Sequence, residues 1–255
     1  MRKLSRRDML SGAAGIAAAL PLLSAAENSP RGIAPPAHKL NVVVAGAHPD
    51  DPETGCGGTI ARYSDLGHKV TVLYLTRGER GIKGKTYDEA GRIRTGEAEK
   101  ACEILKARPV FAGQINGKVE VTYARYEEYR KILEAENPDL VFTHWPLDTH
   151  EDHRASALLV YDAWLKLGKK FPLFFFEVMT GEQSSHFWPT HYVDISATVD
   201  RKRTACYAHA SQDPDDFYRI HDEMNRFRGH ECGRQQAEAF IRHVQSPDEA
   251  VPLSG

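Results

Sequence analysis

Leu40-Asn41-Val42-Val43-Val44-Ala45-Gly46-Ala47-His48-Pro49-Asp50-Asp51 is the stretch on which the reading turns. The apolar run 40–45 predicts a strand buried on both faces, and the chemistry-bearing residues begin where it ends. Further strands are predicted at 69–76, 109–112, 139–145 and 172–178. Helical stretches lie between them, at about 58–66, 87–106, 123–136 and 153–167. Buried strands alternating with helices predict one α/β domain, Rossmann-like, with a mostly parallel sheet flanked by helices. Residues 197–244 read as more helices, interrupted near Asp213-Pro214 and Gly229. In such folds ligands bind beyond the carboxyl ends of the strands, where the strand order reverses.

The composition sets the outer limits. With 255 residues, 41% hydrophobic and 27% charged, the chain can build a full core, and neither a disordered nor a fibrous class fits. A formal charge of −2 gives no electrostatic reason to expect nucleic acid. Ahead of the domain, Ser5-Arg6-Arg7-Asp8-Met9-Leu10 precedes a weakly apolar run 11–23 and the small residues Ser24, Ala25 and Ala26. Paired arginines in that setting resemble a twin-arginine export signal over residues 1–26, followed by a linker at 27–38. Gly12, Gly15 and Pro21 argue against a stable membrane span. An exported protein, periplasmic or extracellular, is therefore expected. Its domain covers 39–245, with a short tail at 246–255. Cys56, Cys102, Cys206 and Cys232 are widely spaced without a CxxC pair, so mostly buried thiols are expected.

Two loops carry the chemistry. The first strand ends in His48-Pro49-Asp50-Asp51, and the fourth runs into His144-Trp145-Pro146-Leu147-Asp148-Thr149-His150-Glu151-Asp152-His153. In a parallel sheet both lie on one rim. Catalytic zinc takes three His, Asp or Glu ligands and keeps a position open. His48, Asp51 and His153 meet that need, which leaves Asp50 as a general base toward water acidified by the metal. His150 can stabilise an oxyanion or protonate a leaving amine, and Asp152 can hold its ring. His144 reads as an ordinary surface or core histidine, and either aspartate alone could cap a helix. Two decoys fail on spacing. Gly55-Cys56-Gly57-Gly58 is not a dinucleotide loop, and Gly84-Lys85-Thr86 lacks the upstream glycine of a phosphate loop.

The pair of motifs resembles the LmbE/PIG-L family of zinc-dependent N-acetylglucosaminyl deacetylases. The likeness extends through Leu75-Thr76-Arg77-Gly78-Glu79, residues 94–97, Thr180-Gly181-Glu182 and Tyr207-Ala208-His209-Ala210-Ser211-Gln212. It implies zinc on His48, Asp51 and His153, Asp50 as base, His150 as electrostatic catalyst and Asp152 as its partner. It also implies an N-acetyl amino sugar or glycan as substrate. Arg94 resembles a family position that reaches the cleft, where a guanidinium can hydrogen-bond sugar hydroxyls. One departure is Glu151, where family members commonly carry proline, and its absence bears on loop rigidity. A zinc hydrolase of another amide and a non-catalytic metal- or carbohydrate-binding module are the alternatives. A His2Asp set also accepts divalent metals other than zinc.

Overall fold

The computed structural model describes residues 38–247. Alternate residues of its first strand face opposite cores. Val42 and Val44 join one buried cluster, and Val43 and Ala45 the other. A strand buried on both faces needs helices on both sides, and the chain supplies them in order. The elements are β1 (Asn41–Gly46), α1 (Asp51–Asp65), β2 (Lys69–Thr76), α2 (Tyr87–Leu105), β3 (Arg108–Gln114), α3 (Tyr123–Ala135), β4 (Leu140–His144) and α4 (Glu151–Lys166). There follow β5 (Leu173–Phe176), β6 (His191–Asp194), α5 (Val199–Cys206), a 3-10 turn (Ala210–Gln212), α6 (Pro214–Cys232) and β7 (Ala237–Arg242).

The sheet has seven strands in the order β3-β2-β1-β4-β5-β7-β6. Strands β1 to β5 pair in parallel, and β7 runs antiparallel between β5 and β6. Helices α1, α2 and α5 cover one face around Ile60, Ala98, Leu105 and Ala205. On the other face α3 and α4 bury Tyr129, Leu133, Val160 and Trp164. The predicted α/β fold is the observed one. Among the described residues no helix is long and apolar enough to cross a membrane. The signal at 1–26 and all of the linker except His38 lie outside the described residues.

Three expectations need correction. The tail is not wholly helical, because β6 and β7 close the sheet there. Gly229 does not interrupt α6. It lies inside the helix, where a Cβ would come within 2.8 Å of the carbonyl oxygens of Arg234 and Gln235. The helix after β1 begins at Asp51, so the glycines at 55–58 are helical and serve packing. A Cβ on Gly55 would meet Phe176 at 2.5 Å, and one on Gly58 would meet Ile195 at 2.6 Å. These contacts let α1 press against the sheet and bring its first turn down onto the rim. The four cysteines are free, with Cys56, Cys102 and Cys206 buried.

Candidate metal centre

Strands β1 and β4 are neighbours from which the chain winds off in opposite directions, to β2 and β3 on one side and β5 on the other. This is the topological switch point, and both motif loops leave from it. At the end of β1 a Cβ on Gly46 would lie 2.6 Å from the Pro52 ring, so glycine there lets α1 fold back onto its strand. The turn is tight enough to force Asp50 to φ 113°. Such backbone costs about 1–3 kcal/mol and persists where surrounding contacts impose it. Here they do. The buried Glu53 carboxylate accepts the Asp50 N–H at 3.2 Å, and Arg94 holds the side chain.

Asp51 sits at the middle of the site. Its carboxylate lies 3.2 Å from His48 Nδ1 and 3.3 Å from His153 Nε2. One ligating atom from each of His48, Asp51 and His153 falls within a 4.8 Å span, and all three residues are buried. Burial opposes ionisation of Asp51, but His153, His48 and His144 outweigh it and hold the carboxyl well below its usual range. Burial also works against charge on His153, yet Asp51 and Asp148 raise it to about 10. An ionised carboxylate between two imidazoles is a donor set that suits a divalent cation.

The far nitrogens of both histidines complete the fit. His48 Nε2 is hydrogen-bonded to Asp152 Oδ2 at 3.0 Å, and His153 Nδ1 lies 3.2 Å from Asp148 Oδ1. Carboxylates behind metal-binding imidazoles fix the tautomer and aim the remaining lone pair inward. This corrects the expectation for Asp152. Its carboxylate serves His48, and the same oxygen accepts from Asn116 Nδ2 at 3.1 Å and Gly117 N at 2.7 Å. His150 touches Asp152 only through the backbone, where the Asp152 N–H donates to His150 Nδ1 at 3.2 Å. Burial and the neighbouring His48 and His153 lower the His150 pKa, so this ring is neutral near pH 7.

Glu151 takes the first position of α4, exposed to solvent, where an acidic side chain favours the helix amino terminus. The loop before it is held without a proline. Arg154 Nη1 donates to the carbonyls of Asp148 and Thr149 at 2.8 and 2.9 Å.

Several residues of the site were not assigned from sequence. His144 is fully buried, accepts the Ala47 N–H at 3.0 Å and stacks on His153 with ring centroids 4.2 Å apart. Burial and His153 push its pKa down to about 4, so it is a neutral support for the His153 ring. The visible signal was its place at the carboxyl end of a buried strand. His209 is also fully buried, 3.4 Å from Glu53, and its N–H donates to the Cys206 carbonyl at the end of α5. Trp145 packs against Phe175 and Phe187, while Trp188 is exposed.

Arg94 lies at the cleft but is only 3% exposed. Its guanidinium donates to Asp50 Oδ2 at 2.6 Å and to the Pro49 carbonyl, so these donors face the Asp50 turn and not open solvent. Burial raises the Asp50 pKa, with Arg94 opposing. The cleft above this group has a volume of about 400 Å³, and Arg80, Met179, Gln183, Gln212 and Phe217 form its walls.

The comparisons with known proteins agree with this geometry. The family model for GlcNAc-PI de-N-acetylase, PIG-L, matches residues 43–164, which include both motif loops. The diacetylchitobiose deacetylase of Thermococcus kodakarensis is 32% identical over 220 residues, covering 77% of this chain and 80% of that protein. The chain belongs to the PIG-L/LmbE deacetylase family. It is a hydrolase of the deacetylase type. The conserved protein TT1542 of Thermus thermophilus has the same fold, with a TM-score of 0.71 and 29% identity over 85% of this chain and 99% of that one. A 4-oxalmesaconate hydratase of Pseudomonas putida is 27% identical over 68% of this chain and 74% of that enzyme.

Proposed function

We propose that this deacetylase removes the acetyl group from an N-acetylglucosamine-type sugar or glycan, with zinc held by His48, Asp51 and His153. The observation that carries the reading is Asp50. It stands beside the ligand set, lines the cleft and is braced by Arg94, an arrangement a binding module would not need. The similarity to a diacetylchitobiose deacetylase supports the choice of substrate class.

When bound, the metal supplies Lewis-acid polarisation of an amide carbonyl and acidifies water. Asp50 takes the proton of the water that attacks the acetyl carbon. Its raised pKa suits it to hold that proton and hand it to the departing nitrogen. His150 accepts the Asp152 N–H on Nδ1, so its neutral ring carries the proton on Nε2. That N–H is a donor for the oxygen on which negative charge develops. Collapse gives acetate and a free amine.

The test is acetate release from N-acetylglucosamine and its short oligomers by the zinc-loaded mature protein, beside Asp50→Asn. Release by the wild type alone supports the reading. A zinc-binding protein that releases no acetate overturns it and turns the search to other amides or to hydration, the reaction named for one relative.

We further propose that residues 1–26 export the protein by the twin-arginine route, since Arg6 and Arg7 precede a weakly apolar run. Processing that persists after both arginines are changed to lysine would count against it.

A further inference from the structure

We propose that Asp148 is a positioning residue that couples the metal ligand His153 to the wall of the cleft, with Ser184 as the joint. The inference rests on the metal site proposed above. Asp148 is 7% exposed and sits in the loop between β4 and α4. Its Oδ1 lies 3.2 Å from His153 Nδ1, the nitrogen opposite the one facing Asp51. The same oxygen accepts the His150 N–H at 2.8 Å. The other oxygen accepts from Ser184 Oγ at 3.1 Å.

Ser184 is 1% exposed, and its hydroxyl both donates and accepts. Its Oγ accepts the Val178 N–H at 2.9 Å while donating to Asp148, and its own N–H donates to the Val178 carbonyl at 3.0 Å. Residues 178–184 thus form a loop whose two ends meet at one serine. Val178, Met179 and Gln183 of that loop line the cleft. Thr149 clamps the loop from the other side, its N–H on the Gln183 carbonyl at 3.1 Å and its hydroxyl on the Glu182 carbonyl at 3.3 Å. One carboxylate therefore touches both the histidine at the metal and the segment that a substrate meets.

Two consequences follow from the chemistry. Losing the carboxylate behind a metal-binding imidazole typically weakens metal affinity about 10–100-fold. Coupling between two binding events is also reciprocal. Zinc should order residues 178–184, and loosening those residues should weaken zinc.

The experiment measures zinc affinity by chelator competition, and amide hydrogen exchange over residues 178–184 with and without zinc. It compares wild type, Asp148→Asn and Ser184→Ala. The expected result is a zinc dissociation constant raised about 10–100-fold in Asp148→Asn and by a smaller factor in Ser184→Ala. Zinc-induced protection of the loop should be present in wild type and lost in Ser184→Ala. Ser184→Ala removes a single atom, so it carries the test if Asp148→Asn fails to fold. Variants that bind zinc within twofold of wild type, with unchanged protection, overturn the coupling while leaving the metal site intact. A wild type that binds no zinc overturns the metal site and this inference with it.

Discussion

Arg94 Nη2 lies 2.6 Å from Asp50 Oδ2, and the same nitrogen donates to the Pro49 carbonyl. One guanidinium thus pins the Pro49 carbonyl and the side chain of Asp50, the residue held at φ 113°. If Asp50 is the base proposed above, this contact aims it. Arg94→Gln is expected to lower kcat about 10²-fold, the size of loss that follows a misplaced catalytic group, with zinc content unchanged. Arg94→Lys should rescue little, because a single ammonium cannot reproduce the planar donor fork. Steady-state kinetics on an N-acetylated sugar decide the matter. A raised KM with kcat intact would return Arg94 to the sugar-binding role expected from the family.

Asp152 separates two roles in the same way. Its carboxylate is bonded to His48 and not to the His150 ring. Asp152→Asn should therefore weaken zinc affinity about 10–100-fold, which equilibrium dialysis against a chelator will read. If zinc binding stays at the wild-type level and only kcat falls, Asp152 acts through His150 as first expected.

That His48, Asp51 and His153 come together was legible because they lie in two short runs, and strand-then-loop patterning puts both runs on one rim. Their supports were not. His144 stands alone in the sequence, and its value comes from stacking on His153 across a turn. Asp148 was in view within the motif, but only the packed structure shows that it faces His153 and Ser184. The same limit applies to the fold. Strands β1 to β5 each carry a short apolar run, whereas β7 contains the buried Glu238, whose carboxylate accepts the Gly58 and Thr59 N–H groups and pairs with Lys202. A charged residue satisfied by long-range partners hides a strand from pattern reading. Strand β6 has only four residues, too few for a period to register.

Gly229 gives a stability prediction that runs against helix propensity. In an exposed helix, Gly→Ala gains about 1 kcal/mol. Here the added Cβ would sit 2.8 Å from two backbone oxygens of the turn that follows α6. Backbone has little room to yield, and overpacking of this kind costs about 1–3 kcal/mol. Gly229→Ala should therefore lower Tm by several degrees, roughly 2–4 °C for each kcal/mol lost in a chain this size. A Tm equal to or above wild type in a thermal melt would mean that the turn at 233–236 gives way instead.

His68 sets part of the acid limit of stability. The residue is 6% exposed and its Nδ1 accepts the Leu40 N–H at 3.0 Å, at the entry to β1. Burial, with a contribution from His38, lowers its pKa below the ordinary value of 6.5. Well above that value the ring is neutral in both folded and unfolded chains and contributes no pH dependence. As pH falls through 6.5 the unfolded chain takes up the proton first. Stability is then lost at up to about 1.4 kcal/mol per pH unit until the folded pKa is reached. His68→Gln removes this titration and should show a shallower loss than wild type between about pH 7.5 and 5.5 in urea unfolding. Taking the difference between the two proteins cancels the other titrating groups. Parallel losses over that range would show that His68 takes up its proton in the folded state as readily as in the unfolded one.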